Sequence, residues 1–395
     1  MTRRSVLAAM LAVLGLLAAG SAGAADPVRI GYAISKTGMF APAAQSQINA
    51  YLLWADQVNQ QGGLDVAGVK RPVELVVYDD QSDFGKAPGI YEKLITNDKV
   101  DLLLAPWGTP FHFAIAGVLE RYKFPMVGNS AASVALREVK PGNIWFPTSA
   151  IPDKIADELV KLLQAEKVKT VAINMLQLPF SQEIKRFLVP ALGKTDIKIV
   201  VNEEYAPGVK DMTATLTKIK QAAPDAVLSL SYPPDSILYM KQAREIGIVA
   251  PFQLVLIGPT ADFFGKMFGV NLDGVVTVGH WSPAQKAWPK AKPFFDAYKA
   301  KFGEAPDYLD SALAYMSCEI LQQAVAKAGL DKDKLRQAIA TGTFDTIDGP
   351  VKFDGVQNAV TPTMLLQFQK GEAQIIWPPD QATAPFAPKA AWSQN

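Results

Sequence analysis

The chain has 395 residues, which suits two domains of roughly 150–200 residues each, and its 49% apolar content can furnish a large core. Basic residues number 39 against 38 acidic, a net charge of +1, so no global field is present to hold nucleic acid or an anionic membrane. One cysteine, Cys318, permits no intrachain disulfide and no Cys-rich metal site, and only two histidines, His112 and His280, speak against a His-based metal centre or a His-dependent enzyme.

The chain opens on Met-Thr-Arg-Arg-Ser, an apolar run from Val6 to Ala19, and Gly-Ser-Ala-Gly-Ala-Ala. That sequence of regions predicts a signal peptide over residues 1–24, cut after Ala24 at an Ala-x-Ala site. The run is about 14 residues, short of the ~20 that span a bilayer. Thr2-Arg3-Arg4 leaves both the twin-arginine and the general secretory route open. Loss of Arg3 and Arg4 leaves 37 basic against 38 acidic residues in a soluble, exported chain.

Strand and helix patterns then alternate. Val28–Ile34 reads as a strand, and Ala43–Asn59 as a helix with Ala44, Ile48, Leu52, Ala55 and Val58 on one stripe. Strand Val73–Tyr78, helix Gly89–Ile95, strand Val100–Ala105, helix Phe111–Tyr122 and strand Met126-Val127 follow. The second run pairs helix Lys154–Ala165 with strand Thr170–Met175, and Ser181–Leu192 with Ile197–Glu203. It continues with Met212–Gln221 and Ala226–Ser231, then Ser236–Ile246 and Phe252–Ile257, and ends on strand Val275–Val278. Helices Pro293–Phe302, Leu309–Ala328 and Lys334–Ala340 come next, then short strands at Val351–Phe353, Leu365–Phe368 and Gln374–Ile376. A Pro/Ala-rich tail, Pro378–Pro388, reads as a surface wrap. Two such alternating runs predict an α/β protein of two doubly wound parallel-sheet lobes, with ligands bound where strand ends meet helix N-termini.

Catalytic signatures are absent from the sequence: no phosphate loop, dinucleotide fingerprint, nucleophile elbow or zinc helix. No enzyme activity, metal or cofactor is therefore expected. Asp79, Asp80 and Asp83 read as loop carboxylates that favour a turn rather than as a cation site, and Cys318 as a packed core thiol.

Six segments, in order over nearly the whole mature chain, carry a family resemblance. They are Ile30-Gly31-Tyr32-Ala33 with Thr37-Gly38; Asn59-Gln60-Gln61-Gly62-Gly63-Leu64; Val76-Val77-Tyr78-Asp79-Asp80-Gln81-Ser82-Asp83; Lys93-Leu94-Ile95 with Lys99-Val100-Asp101; Gln242-Ala243-Arg244-Glu245-Ile246-Gly247; and Gly349-Pro350-Val351-Lys352-Phe353-Asp354. Together they resemble the periplasmic solute-binding proteins of ABC transporters in the branched-chain amino acid (Leu/Ile/Val-binding) family. The resemblance implies a type I periplasmic binding protein fold, two lobes joined by a three-crossover hinge that close on a ligand. It implies crossovers near Trp145–Ser149, Gly279–Pro283 and Phe344–Gly355. The first lobe is then 26–147 plus 281–347, and the second 148–280 plus 348–395. It further implies a monomer that takes a small molecule to membrane permease subunits.

By the same resemblance, a ligand carboxylate sits on two first-lobe loops, Trp107-Gly108-Thr109-Pro110 and Gly128-Asn129-Ser130-Ala131-Ala132-Ser133. Thr109 and Ser130 are the leading contacts, with Ser133 open if the second loop slips. Amino-acid-binding members hold the ammonium with an acidic residue after a second-lobe Gly-Pro. Here Gly258-Pro259 is followed by Thr260, with Asp262 two residues on as the substitute. Phe40, Trp107, Phe111, Phe180, Tyr232 and Trp281 crowd the cleft loops, and His112 is placed to donate to a carboxylate or phenol. The expected ligand is a small aromatic or otherwise apolar carboxylate without an ammonium group. The alternatives are a branched-chain amino acid, a neutral amide or urea, a sensor that docks on a receptor, and a secreted α/β enzyme.

Overall fold

The computed structural model describes residues 25–138 and 142–393, so the leader expected over residues 1–24 lies outside it. From the N-terminus, β1 (Val28–Ile34) leads into α1 (Ala41–Gln60), the hairpin β2 (Leu64–Val66) and β3 (Val69–Arg71), and β4 (Val73–Asp79). Then come α2 (Ala87–Thr96), β5 (Leu102–Leu103), α3 (Thr109–Tyr122), β6 (Met126–Val127), α4 (Val134–Glu138) and β7 (Ile144–Trp145). β1 lies between β4 and β5, all parallel, and β6 pairs with β7 in parallel.

The second run is α5 (Pro152–Ala165), β8 (Thr170–Leu176), α6 (Pro179–Leu192), β9 (Lys198–Tyr205), α7 (Thr213–Ala222), β10 (Ala226–Leu230), α8 (Pro233–Ile246), β11 (Phe252–Val255), α9 (Asp262–Phe268) and β12 (Val275–Gly279). The chain closes with α10 (Ala291–Phe302), α11 (Asp310–Ala328), α12 (Lys332–Thr341), β13 (Thr343–Thr346), β14 (Gly349–Asp354), β15 (Gln357–Asn358), β16 (Met364–Gln369) and β17 (Glu372–Trp377). The second sheet runs β17-β16-β12-β11-β10-β8-β9. Its pairs from β9 to β12 are parallel, while β16 and β17 add antiparallel.

Strands buried on both faces read as near-continuous apolar runs, and β8, β10 and β12 do so, each interrupted inside by one polar residue, Asn174, Ser229 and Thr277. In the first lobe, α11 packs along α1 and reaches β2 and β6, while α2 packs on β1 and α3. Cys318 is buried within α11. The buried face of α1 keeps Ala44, Ala55 and Val58 of the expected stripe and adds Gln47, Tyr51 and Trp54, while Ile48 is half-buried and Leu52 exposed. The large rings of Tyr51 and Trp54 are almost wholly buried on this face and favour that rotation of the helix.

Four helices begin two or three residues before their expected starts, at Thr109, Pro152, Pro179 and Pro233. Each carries proline in its first turn, where the missing N–H needs no partner. The tail beyond β17 lies over the second lobe. Lys389 N–H donates to Pro251 O (2.8 Å), and Trp392 Nε1 to Ile248 O (2.7 Å).

Three segments cross between the lobes: those after β7, after β12 and after β15. The first and third run side by side, Ser149 Oγ donating to Pro362 O (2.9 Å) and Thr363 Oγ1 to Ser149 O (2.6 Å). The third crossing therefore lies beyond Asn358, later than the expected Phe344–Gly355. The cause is the turn at Gly349 (φ +80°), which folds β14 back on β13 as a hairpin. β15 is then tied to the first lobe, Phe146 N–H donating to Val356 O (2.7 Å) and Asn358 N–H to Phe146 O (3.1 Å). Residues 348–358 thus pair with the first lobe, not with the second.

Candidate functional site

Two loops at the strand ends of the first lobe are laced together. Gly108 (φ +81°) turns the chain into α3, and its N–H donates to Ser130 Oγ (2.8 Å). Thr109 Oγ1 accepts from Ala132 N–H (3.2 Å), which fixes the second loop against the first turn of α3. Behind them, Asn129 Nδ2 donates to the Tyr51 hydroxyl (2.7 Å), which donates to Ala105 O (3.0 Å). The N-terminus of α3 lines the space between the lobes with Gly108 and Thr109, and its dipole favours an anion there.

That space is a narrow cavity of about 30 Å³, water-sized as the lobes stand here, so an organic ligand needs the walls to part. The first lobe lines it with Trp107, Thr109, Ser130, Leu309, Asp310 and Leu313. The second lobe adds Phe180, Tyr232, Ile257 and Val278, and the first crossing adds Thr148 and Ala150. Apolar and aromatic groups make most of this wall. The rings of Trp107 and Tyr232 approach edge to face across the cleft, 6.2 Å between centroids.

The lobes are also joined by polar contacts. Glu183, on α6 of the second lobe, accepts from Ser133 Oγ (2.8 Å), Val134 N–H (2.8 Å) and Ala135 N–H (3.2 Å) of the first. Thr260 Oγ1, after β11, donates to Asp307 Oδ2 (3.2 Å) just before α11.

Of the side chains named from the sequence, Trp107, Thr109, Ser130, Phe180 and Tyr232 meet at this cavity. Others lie elsewhere. Phe40 sits behind Trp107, 5.2 Å between centroids, and supports the wall. Phe111, buried at 6.3 Å from Phe40, also stands behind it. Ser133 is spent on the Glu183 contact and on accepting from Leu136 N–H (3.1 Å).

His112 is fully buried, its Nδ1 on Gly108 O at 2.9 Å, and burial pushes its pKa down to about 4. It is a neutral packing group rather than a donor in the cavity. Thr260 is committed to Asp307. Asp262 lies in a shallow depression with Lys36, Pro42 and Phe263, ion-paired to Lys266 (2.5 Å). Trp281 is buried against Phe294 and Tyr308, its Nε1 on Asp307 O (3.3 Å). Its large apolar area is taken up by the packing of the second crossing.

Asp310, Asp307 and Glu183 were not anticipated. Asp310 stands on the buried face of α11 with Leu313, Ala314, Ser317 and Leu321. A carboxylate at helical spacing on an apolar face is the signal that marks it in the sequence. Glu183 leaves no such local trace, because its partners are 48 to 50 residues away.

Asp79 and Asp80 cap their turn, Asp79 Oδ1 accepting from Gln81 N–H (2.8 Å) and Asp80 Oδ1 from Ser82 N–H (2.9 Å). Among the described residues no group of His, Cys, Asp and Glu could hold a metal ion, and no helix is long and apolar enough to cross a membrane.

A family model described as "Periplasmic binding protein" matches residues 27–373. The leucine-, isoleucine-, valine-, threonine- and alanine-binding protein of Pseudomonas aeruginosa is 26% identical over 357 residues, 89% of this chain and 92% of that one. Among solved structures, the branched-chain amino acid transporter substrate-binding protein LivJ from Streptococcus pneumoniae, in complex with isoleucine, superposes with a TM-score of 0.81. It is 22% identical, over 89% of this chain and 100% of that one. An ABC transporter solute-binding protein from R. palustris, in complex with benzoate, gives 0.77 at 18% identity, over 93% and 98% of the two chains.

Proposed function

Because the chain belongs to the periplasmic binding protein family, we propose that it is the exported solute-binding component of an ABC importer and encloses a small aromatic carboxylate without an ammonium group. In this reading residues 1–24 are its leader, and hinge closure buries the ligand for delivery by a monomer to permease subunits.

One observation carries the ligand class. No second-lobe carboxylate lines the cavity among the described residues, because Thr260 is bonded to Asp307 and Asp262 to Lys266. An ammonium there would face Phe180, Tyr232, Ile257 and Val278. It would keep a desolvation cost of several kcal/mol, unrelieved by a charged partner on that side. A ring suits those walls. Burying on the order of 150 Å² of it contributes about 4 kcal/mol at 25 cal/mol/Å². The ligand carboxylate meets the start of α3 with Thr109 and Ser130. The benzoate complex of a protein with the same fold is in keeping with this reading.

A second reading, a branched-chain amino acid, is favoured by the name of the Pseudomonas relative. Its ammonium would have to turn to Asp310, the carboxylate that lines the cavity from the first lobe.

The test is a thermal-shift panel on mature protein stripped of ligand, with benzoates, phenylacetates, cinnamates, aliphatic acids, amides and the standard amino acids. A ligand at 100 times its Kd adds about 2.7 kcal/mol, a rise of a few degrees. The expected rise is confined to aromatic acids. Tight binding of leucine or valine, whether or not an Asp262→Ala substitution abolishes it, overturns the proposal.

A further inference from the structure

We infer that Asp310 is a specificity residue of the cavity, and that it selects an aromatic acid carrying a ring hydroxyl remote from its carboxylate. The inference rests on the aromatic-acid reading above and deepens it.

Asp310 is 4% exposed and lines the cavity between Leu309 and Leu313. Among the described residues its carboxyl receives one hydrogen bond, from Trp107 Nε1 to Oδ2 at 2.8 Å. A carboxyl has acceptor sites on both oxygens and, when protonated, a donor as well. A buried polar group with that capacity unmet is costly in an apolar wall. Asp307 next to it shows the contrast. Its carboxylate accepts from Leu309 N–H (2.6 Å), Asp310 N–H (2.8 Å) and Thr260 Oγ1 (3.2 Å). Burial raises the Asp307 pKa to about 6, yet its three donors leave it better fitted than Asp310 to carry a charge without a ligand, and Asp310 is fitted to be completed by one.

Burial, then the neighbouring Asp307, push the Asp310 carboxyl well above the usual carboxylate range. A neutral carboxyl both donates to and accepts from a hydroxyl, whereas an ammonium would need the ionised form beside a second buried carboxylate. Thr109 lies at the start of α3, with Ser130 bonded to Gly108 just before it, and Asp310 lies at the start of α11, so acid and hydroxyl have separate partners in one cavity. A site built to bond a ligand hydroxyl discriminates strongly against the analogue without it.

Calorimetry on the stripped mature protein, with unsubstituted and ring-hydroxylated benzoates and cinnamates, tests this in the native chain and in D310N and D310L. Native protein is expected to bind a hydroxylated acid at least about tenfold tighter than its unsubstituted parent. D310L is expected to abolish or invert that preference while still binding the parent. D310N keeps an acceptor for Trp107 and checks that the wall stays folded. Equal affinity of native protein for the two acids, or equal loss of both in D310L and D310N, overturns the role of Asp310 and leaves the aromatic-acid reading standing. Absence of binding by any aromatic acid, with leucine or valine bound and lost in D310N, overturns both.

Discussion

His112 shows how burial changes the meaning of a residue that the sequence offers as a ligand. Its Nδ1 bonds Gly108 O at the first turn of α3, and the ring is fully buried. The folded chain then holds the imidazole neutral, with a pKa near 4 against 6.5 ordinarily. A folded pKa below the unfolded one gives stability that is complete above about pH 6.5 and lost as pH falls toward 4. Between pH 7 and pH 5 native protein should lose about 2 kcal/mol relative to H112N, as read by urea unfolding at the two pH values. A parallel change in both proteins would show that the histidine titrates freely. The same logic separates Trp107 from Trp281. Both are buried and both follow a strand, yet one lines the cavity and the other fills the packing of the second crossing.

Whole elements were more legible than their side chains. Apolar runs of β1, β8, β10 and β12 and the helices between them stand at the expected places, because strand and helix periods involve residues only a few positions apart. The hairpin β2–β3 and helix α9 escaped, being short and weakly periodic. The loop between β11 and α9 sets the second-lobe wall through Gly258, whose φ is +121°. A Cβ there would stand 2.6 Å from the ring of Phe264. G258A should therefore lower stability by about 1–3 kcal/mol through backbone strain and overpacking. It should also weaken ligand binding, because Ile257 lines the cavity beside it. An unchanged melting temperature would show that Phe264 gives way without cost.

Closure on a ligand, in the proposed reading, is a property of the whole molecule. Glu183 bridges the lobes through two backbone N–H groups and the Ser133 hydroxyl. Hydrogen bonds to a charged group are worth about 1.5–3 kcal/mol, so E183Q should raise the Kd roughly ten- to a hundredfold. Small-angle scattering should show a larger radius of gyration for that variant at subsaturating ligand. Unaltered affinity would mean that closure is held by the walls of the cavity alone.

The sequence by itself determined the alternation of strands and helices, the two-lobe fold and the two loops at the strand ends, Trp107–Pro110 and Gly128–Ser133. These follow from local periodicity, turn residues and ordered motifs. Only the tertiary structure decided which side chains share the cavity. Trp107 meets Asp310 across 203 residues, Thr260 meets Asp307 across 47, and Ser133 meets Glu183 across 50. Contacts of that separation depend on how lobes and crossings pack, and no spacing along the chain records them. The third crossing moved for the same reason, because an antiparallel hairpin at Gly349 and the ties of β15 to Phe146 outweigh the order of elements in the chain.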